Sequence, residues 1–256
     1  MNRAINATYL AAIFLFLYFP IAILIIFSFN NSAFSLVWHG FTLNWYHHLF
    51  HNTNILTVAL HSLIIGITAA TLATFIGTLA AVCLYRYQFN GKKLLHSLIL
   101  VLVVSPDIVM GIALLILFAS LHITLGFWTL LLSHITFCIP FVAINVYARI
   151  IGLDKNIFEA ARDLGASEFI IFYRIMVPLL WPAILTGWLL SFTLSLDDVI
   201  ISFFVTGPSF QILPLYIFSL VRLGLKPEIN ALCSVMFGLT ISLVICSQIL
   251  MKKKYD

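Results

Sequence analysis

The feature that most constrains this chain is the length of its charge-free segments. No Asp, Glu, Lys or Arg occurs between Arg3 and Arg86, and between Lys93 and Arg149 the only charged residue is Asp107. Only 9% of the 256 residues are charged and 62% are hydrophobic, whereas soluble domains carry about 25% charged residues. This composition excludes a water-soluble globular protein, whose surface needs charged residues, and it also excludes a disordered chain. The sequence predicts an all-α membrane protein, because helices satisfy their own backbone polar groups in lipid.

Six apolar segments are long enough to cross a bilayer core, which requires about 20 helical residues each. The first charge-free gap holds two of them, because the chain turns polar between Asn30 and Asn54, where Trp45 and Tyr46 are typical of an interfacial segment. The chain is interpreted as a single transmembrane domain over residues 1–256. The predicted spans cover residues 8–29, 57–85, 94–121, 127–148, 179–203 and 229–251.

The distribution of basic residues predicts the orientation. With six spans and a cytoplasmic N-terminus, 11 of the 13 Lys and Arg residues fall on the cytoplasmic side, and only Arg222 and Lys226 fall outside. The positive-inside rule therefore predicts that both termini are cytoplasmic. The net charge of +4 is explained by this anchoring, so nucleic acid is not predicted as a partner.

Motifs that signal catalysis or metal binding are missing from the sequence. It contains no G-x-x-x-x-G-K-[ST] phosphate loop and no H-E-x-x-H, C-x-x-C or G-x-S-x-G pattern. His47, His48 and His51 form a group, but no acid or cysteine lies nearby in the sequence to complete a metal site. We therefore predict that the chain is not an enzyme and binds no metal.

The predicted cytoplasmic loop 149–178 is the longest polar connection between spans. Its sequence predicts two short helices, the first capped by Asp154 or Asn156 and ended by Gly165. The second helix follows Gly165 and is predicted to end at Pro178, just before the next span. A helix–glycine–helix elbow of this kind has the shape of a docking element.

The same loop carries a specific motif with the spacing EAA-x3-G-x9-I-x-L-P. It resembles the cytoplasmic signature of ABC importer permeases of the binding-protein-dependent type. The one departure is a valine where leucine is usual, and the alternative is an accidental amphipathic surface helix. The residues that match are Glu159, Ala160, Ala161, Gly165, Ile175, Val177 and Pro178.

Further runs extend this resemblance, among them SPDIVMG (105–111), SFTLSLDDVI (191–200) and FVTGPSFQILPLYIFSLV (204–221). They are similar to the permease subunits of spermidine/putrescine ABC importers, in particular to the C-type subunit. The resemblance implies the six-span, MetI-like permease fold in a bacterial inner membrane. It also implies a sister permease in a heterodimer, two cytoplasmic ATPase subunits and a periplasmic polyamine-binding protein. ATP and Mg would bind to the ATPase, and this chain itself would bind no cofactor.

In such permeases the elbow sits in a cleft on the ATPase, and closure of the ATPase dimer rocks the spans. Small alanine side chains would allow a close approach, and acidic residues could meet basic groups of the ATPase. Gly165 would permit the turn. By position, the coupling candidates are Glu159, Ala160, Ala161, Asp163, Gly165, Ala166 and Glu168.

Three carboxylates, Asp107, Asp197 and Asp198, are predicted to lie at membrane depth. Each costs ~3 kcal/mol to insert, so each is a functional hypothesis. Counted from the cytoplasmic ends of their spans, Asp107 lies roughly 20 Å deep and the two adjacent acids lie roughly 28 Å deep. Pro106 is expected to kink the span beside Asp107. The alternatives are a hydrated outer helix end for the two adjacent acids, and an Asp107 that a neighbouring helix or partner satisfies.

A pathway with acids and without Lys or Arg suits a cation, and aromatic rings add cation–π attraction for ammonium groups. The implied function is that of a permease subunit that imports spermidine, putrescine or both. Another organic cation or small solute is an alternative of the same class, and a stand-alone channel or secondary transporter is one of a different class. The pathway candidates are Asp107, Asp197, Asp198, Ser195, Trp45 and Tyr46, with Asp198 slightly preferred over Asp197.

Overall fold

The computed structural model describes residues 3–32, 37–154, 156–208, 210–223 and 227–252, and the regular structure in these ranges is helical. Four of the described helices are long and apolar enough to cross a membrane, or five if one bent pair is a single span. The predicted all-helical class is confirmed, whereas six spans and two cytoplasmic termini stay predictions.

The helices follow one another along the chain with short connections, and a π-helical segment, Ile171–Met176, joins two of them. They are α1 (Arg3–Phe27), α2 (Asn44–His51), α3 (Thr53–Arg86), α4 (Lys92–Val104), α5 (Asp107–Ser120), α6 (Phe127–Ile151), α7 (Asn156–Asp163), α8 (Glu168–Ile170), α9 (Val177–Asp197), α10 (Ile200–Val205), α11 (Leu213–Leu223) and α12 (Pro227–Lys252).

The chain divides into two compact units. The first unit comprises Met1–Thr57 and Tyr216–Asp256, and in it α1 and α2 pack against α12. The second unit, Val58–Leu215, contains α4 to α10 and most of α3. It holds the elbow and all three membrane-depth acids.

Helix α6 forms the centre of the second unit and packs along α9. Asn145 of α6 donates hydrogen bonds to the carbonyl oxygen of Ala183 (2.8 Å) and to Oγ1 of Thr186 (2.9 Å) on α9. Polar bonds of this kind hold helices together in lipid, where no hydrophobic force drives their association. The α6–α9 pair is thus a rigid support for the residues described below.

The predicted span 94–121 is broken rather than kinked. Helix α4 ends at Val104, α5 begins at Asp107, and the helix axis bends by 115° between them. Pro106 lacks a backbone donor and disfavours helical geometry at Ser105, which is extended with ψ at 135°. The break places Asp107 at the start of a helix instead of within one.

The prediction that Pro178 ends a short surface helix is wrong. The chain is helical without interruption from Glu168 to Asp197, through the π-helical segment that directly precedes Val177. A π turn widens the helix, and the proline, which has no N–H group to donate, follows it without ending the helix. At the other end, the predicted span 179–203 is interrupted after Asp197, and α10 continues as a separate short helix.

Candidate functional site

The elbow, defined here as residues 156–168, has the predicted helix–glycine–helix form. Asp154 Oδ1 accepts a hydrogen bond from the backbone of Asn156 (3.0 Å) and so caps α7. Gly165 ends this helix with φ at +81°, and its N–H donates to Arg162 O (2.8 Å). Ser167 caps the following helix through its side-chain oxygen. Because left-handed φ values favour glycine, Gly165 is the residue that makes this turn possible.

The coupling candidates differ in exposure. The side chain of Ala161 is buried, and with Phe158 it packs in an apolar cluster that includes residues of α3, α6 and α9. Ala161 thus faces this chain's own core, and Ala166 is half-buried beside it. Contact of these alanines with a partner stays a prediction. The exposed candidates are Glu159, Ala160, Asp163, Gly165 and Glu168.

Leu164 is a surface residue of the elbow that the sequence analysis missed. Its side chain is 88% exposed at the tip of the turn, directly before Gly165. The signal that could have identified it is an apolar residue placed between a helix of known apolar face and a helix-ending glycine. An exposed leucine at this position adds an apolar contact to the docking surface that the acids alone do not offer.

Glu168 forms ion pairs within this chain. Its carboxylate forms an ion pair with Arg86 at the end of α3 and accepts a second bond from Arg162 Nε at 3.2 Å. The side chain of Arg86 is only 8% exposed. Within this chain Glu168 fastens the elbow to α3, and its contact with a basic group of an ATPase stays a prediction.

We expect that Glu168→Gln lowers solute uptake several-fold, because the elbow then loses its charged link to α3. Arg86→Gln should have a similar effect, and the double variant should be no worse than Arg86→Gln, since interacting residues are not additive. Arg162→Gln is the matched control, because its exposed pair contributes little. Additive losses in uptake would contradict this link.

Asp107 and Asp197 each lie at the edge of a helix break in the second unit, one after its break and the other before it. Asp107 is the first residue of α5 and Asp197 is the last residue of α9, and both side chains are exposed in the isolated chain. Within the part of the chain that the structure describes, both carboxylates are therefore open to the surface of the second unit.

The contacts of Asp198 favour Asp197 as the exposed acid, while the role of either residue in a solute pathway stays a prediction. Asp198 is 8% exposed, and its carboxylate accepts bonds from the backbone of Ile201 (3.1 Å) and from the backbone and hydroxyl of Ser202 (2.8 and 2.7 Å). Ser195 is also buried and bonds to a histidine of α6. Both residues therefore point into the unit, away from the surface that carries Asp197.

Trp45 and Tyr46 belong to the first unit and have local partners. Trp45 Nε1 donates to Asn30 O at 2.8 Å, and the hydroxyls of Tyr46 and Ser28 share a hydrogen bond of 2.6 Å. The ring of Tyr46 also packs against Phe29, with centroids 5.1 Å apart. These contacts fix helix α2 to the end of α1, and the role of the two aromatic residues in a solute pathway stays a prediction.

Comparison with known proteins shows the family. Residues 73–253 match the family described as "Binding-protein-dependent transport system inner membrane component". The chain is 52% identical over 254 residues to the spermidine/putrescine transport system permease protein PotC of Escherichia coli K12, covering 99% of this chain and 96% of that protein. It is 43% identical over 233 residues to the putrescine transport system permease protein PotI of the same organism, covering 88% of this chain and 83% of PotI.

Solved structures show the same fold at low sequence identity. A bacterial ABC transporter that imports the polysaccharide alginate has a chain with a TM-score of 0.70 at 16% identity, covering 100% of this chain and 99% of its own. The MetNI methionine ABC transporter gives 0.63 at 15% identity, over 76% of this chain and 93% of its own. The resemblance that the elbow motif indicated is thus confirmed, and the chain belongs to the family of binding-protein-dependent transport system inner membrane components.

Proposed function

We propose that this chain is a permease subunit of an ATP-driven polyamine importer and forms half of the translocation pathway with a sister permease. The observation that carries the proposal is that two carboxylates, Asp107 and Asp197, are exposed at two helix breaks of the second unit. Relatives named for spermidine and putrescine transport support the choice of substrate. Polyamines carry several ammonium groups, and spaced carboxylates are the groups that attract them.

The exposure of these acids also supports a partner on the same surface. A carboxylate in contact with lipid is costly, so ionisable residues at membrane depth face a water-filled cavity or the interior of a bundle. The second unit leaves both carboxylates uncovered. A sister permease that covers this surface would enclose the acids in a shared, hydrated pathway.

The elbow supports the proposed dependence on ATP. Its exposed acids, its apolar tip at Leu164 and its glycine turn form a projecting surface, and the Glu168–Arg86 ion pair connects this surface to α3. Movement imposed on the elbow would therefore reach the spans. In the proposed assembly, two cytoplasmic ATPase subunits bind ATP and Mg, and a periplasmic binding protein delivers the polyamine.

The decisive experiment measures uptake of labelled spermidine and putrescine in cells that lack their own importer and carry the complete transport operon. We expect both labelled polyamines to be taken up. Unlabelled diamines should inhibit this uptake, whereas butylamine, which has one ammonium group, should inhibit it poorly. Uptake of neither polyamine would contradict the proposed substrate, and competition by a different organic cation would identify the alternative.

The purified chain alone in lipid vesicles is expected to neither hydrolyse ATP nor transport spermidine, because the ATPase and half of the pathway are then absent. The matched sample contains the same chain with its partner subunits and binding protein, and should transport when ATP is supplied. Transport by the chain alone would instead support a stand-alone channel or secondary transporter.

A further inference from the structure

The break between α9 and α10 leaves backbone donors at membrane depth that need partners. The first N–H groups of a helix have no bonding partner inside it, and an unsatisfied donor in lipid costs several kcal/mol. The carboxylate of Asp198 accepts bonds from the backbone of Ile201 and Ser202 and so closes the start of α10. The buried acid thus stabilises the helix break, because it satisfies two of these backbone donors.

His134 of α6 bridges this break from the opposite side. Its Nδ1 lies 2.6 Å from the hydroxyl of Ser195 on α9, and its Nε2 lies 2.9 Å from the hydroxyl of Ser202 on α10. The same Nε2 is 3.5 Å from Asp198 Oδ2. The imidazole is 1% exposed, so one buried ring holds the helix before the break and the helix after it.

The bonds of these groups fit one arrangement of protons. Ser202 donates its hydroxyl proton to Asp198 at 2.7 Å, so its oxygen accepts from Nε2–H of His134. In the neutral imidazole, Nδ1 is then the acceptor for the hydroxyl of Ser195. Each polar group of the network has a partner, which is the condition under which a buried polar network rigidifies its surroundings.

The network also fixes the position of α5. Thr129 of α6 donates to the carbonyl of Val205 at 2.8 Å, so α6 holds both ends of α10. Helix α10 in turn packs closely on α5, since a Cβ at Gly111 would lie only 2.7 Å from the ring of Phe204. The helix end that carries Asp197 is therefore held by α6 directly, and the helix end that carries Asp107 is held by α6 through α10.

We propose that His134 is a positioning residue for the exposed acid pair. By holding Ser195, Asp198 and Ser202, it directs Asp198 inward and keeps the adjacent Asp197 exposed at the end of α9. This inference rests on the proposed function and adds a residue that touches no solute but determines solute affinity. His134 is absent from the pathway residues that the sequence indicated, because it lies 61 residues from Ser195 in the chain.

The test is a double-variant comparison in the complete importer, with spermidine uptake measured over a range of concentrations. His134→Phe keeps a ring but deletes both nitrogen contacts, and we expect KM to rise about tenfold. In the Asp197→Asn background the same change should raise KM no further, because His134 acts through Asp197. Thr136→Val is the matched control, since this exposed threonine on the same helix bonds back to Leu132 O and should leave KM unchanged.

A purely structural role for His134 would give a different result, namely fewer assembled complexes, a lower maximal rate and an unchanged KM, and this result would overturn the inference. An equal rise in KM in the Asp197→Asn background would also overturn it. If His134→Phe does not assemble, Ser195→Ala removes only the contact at Nδ1 and is expected to raise KM about threefold. An unchanged KM for Asp197→Asn itself would overturn this inference, whereas the proposed substrate is tested separately by the uptake of labelled spermidine and putrescine.

Discussion

Replacing Asp197 with asparagine is expected to raise the KM for spermidine uptake about 10- to 150-fold, because one charge contact of ~1.5–3 kcal/mol is lost. Asp107→Asn should act in the same direction, since its carboxylate is likewise exposed at a helix break of the second unit. The measurement is initial uptake of labelled spermidine over a range of concentrations, with the amount of assembled complex determined in parallel. This order of effects reverses the sequence-based preference for Asp198.

The matched control for this prediction is Asp154→Asn. It deletes a charge of the same kind, but asparagine still offers the oxygen that caps α7. Its KM should equal that of the unaltered chain. Wild-type uptake at subsaturating spermidine by both Asp197→Asn and Asp107→Asn would show that the acids serve structure alone, and the polyamine assignment would then rest on resemblance.

Gly165→Val should reduce uptake at least tenfold while the complex still assembles and hydrolyses ATP. The backbone at this position has φ at +81°, where a β-branched side chain is strained. The variant relieves the strain only by changing the turn, which moves Leu164 and alters the surface that the ATPase would contact. Uptake and ATP hydrolysis measured on the same preparation report the ratio of solute transported to ATP consumed.

Two variants separate the turn from general strain. Gly91→Val imposes the same strain, since Gly91 has φ at +98° with open space around it, but it lies outside the elbow and should preserve the transport ratio. Gly165→Asn should retain much of the uptake, because asparagine tolerates the left-handed conformation. Normal uptake by Gly165→Val would remove the coupling role from this residue.

The local features of the elbow followed from the sequence because their causes are local. The cap at Asp154, the turn at Gly165 and the cap at Ser167 each depend on residues within a few positions. The end predicted at Pro178 failed because a proline removes one backbone donor without always ending a membrane helix, as the helices that continue through Pro140 and Pro182 also show. At Pro178 the preceding turn is also of a different kind. Here the π-helical segment before Val177 widens that turn, and sequence rules based on the α-helical period do not anticipate it.

Long-range contacts explain the other differences. The burial of Ala161 depends on the cluster formed by distant helices, and the ion pair of Glu168 depends on Arg86, which is 82 residues away. The sequence shows that these side chains are small or charged. It does not show which of them faces the remainder of the chain.

The sequence by itself determined that this protein is a helical membrane protein and a transporter permease. Both follow from features that are read along the chain, namely the charge-free segments that lipid requires and the spaced motif of the elbow. Only the tertiary structure decided which of two adjacent acids is exposed. The physical reason is that Asp198 turns inward, where it caps α10 and bonds to Ser202. It lies there beside His134, which α6 contributes from a distant part of the chain. Asp197 is left as the exposed carboxylate.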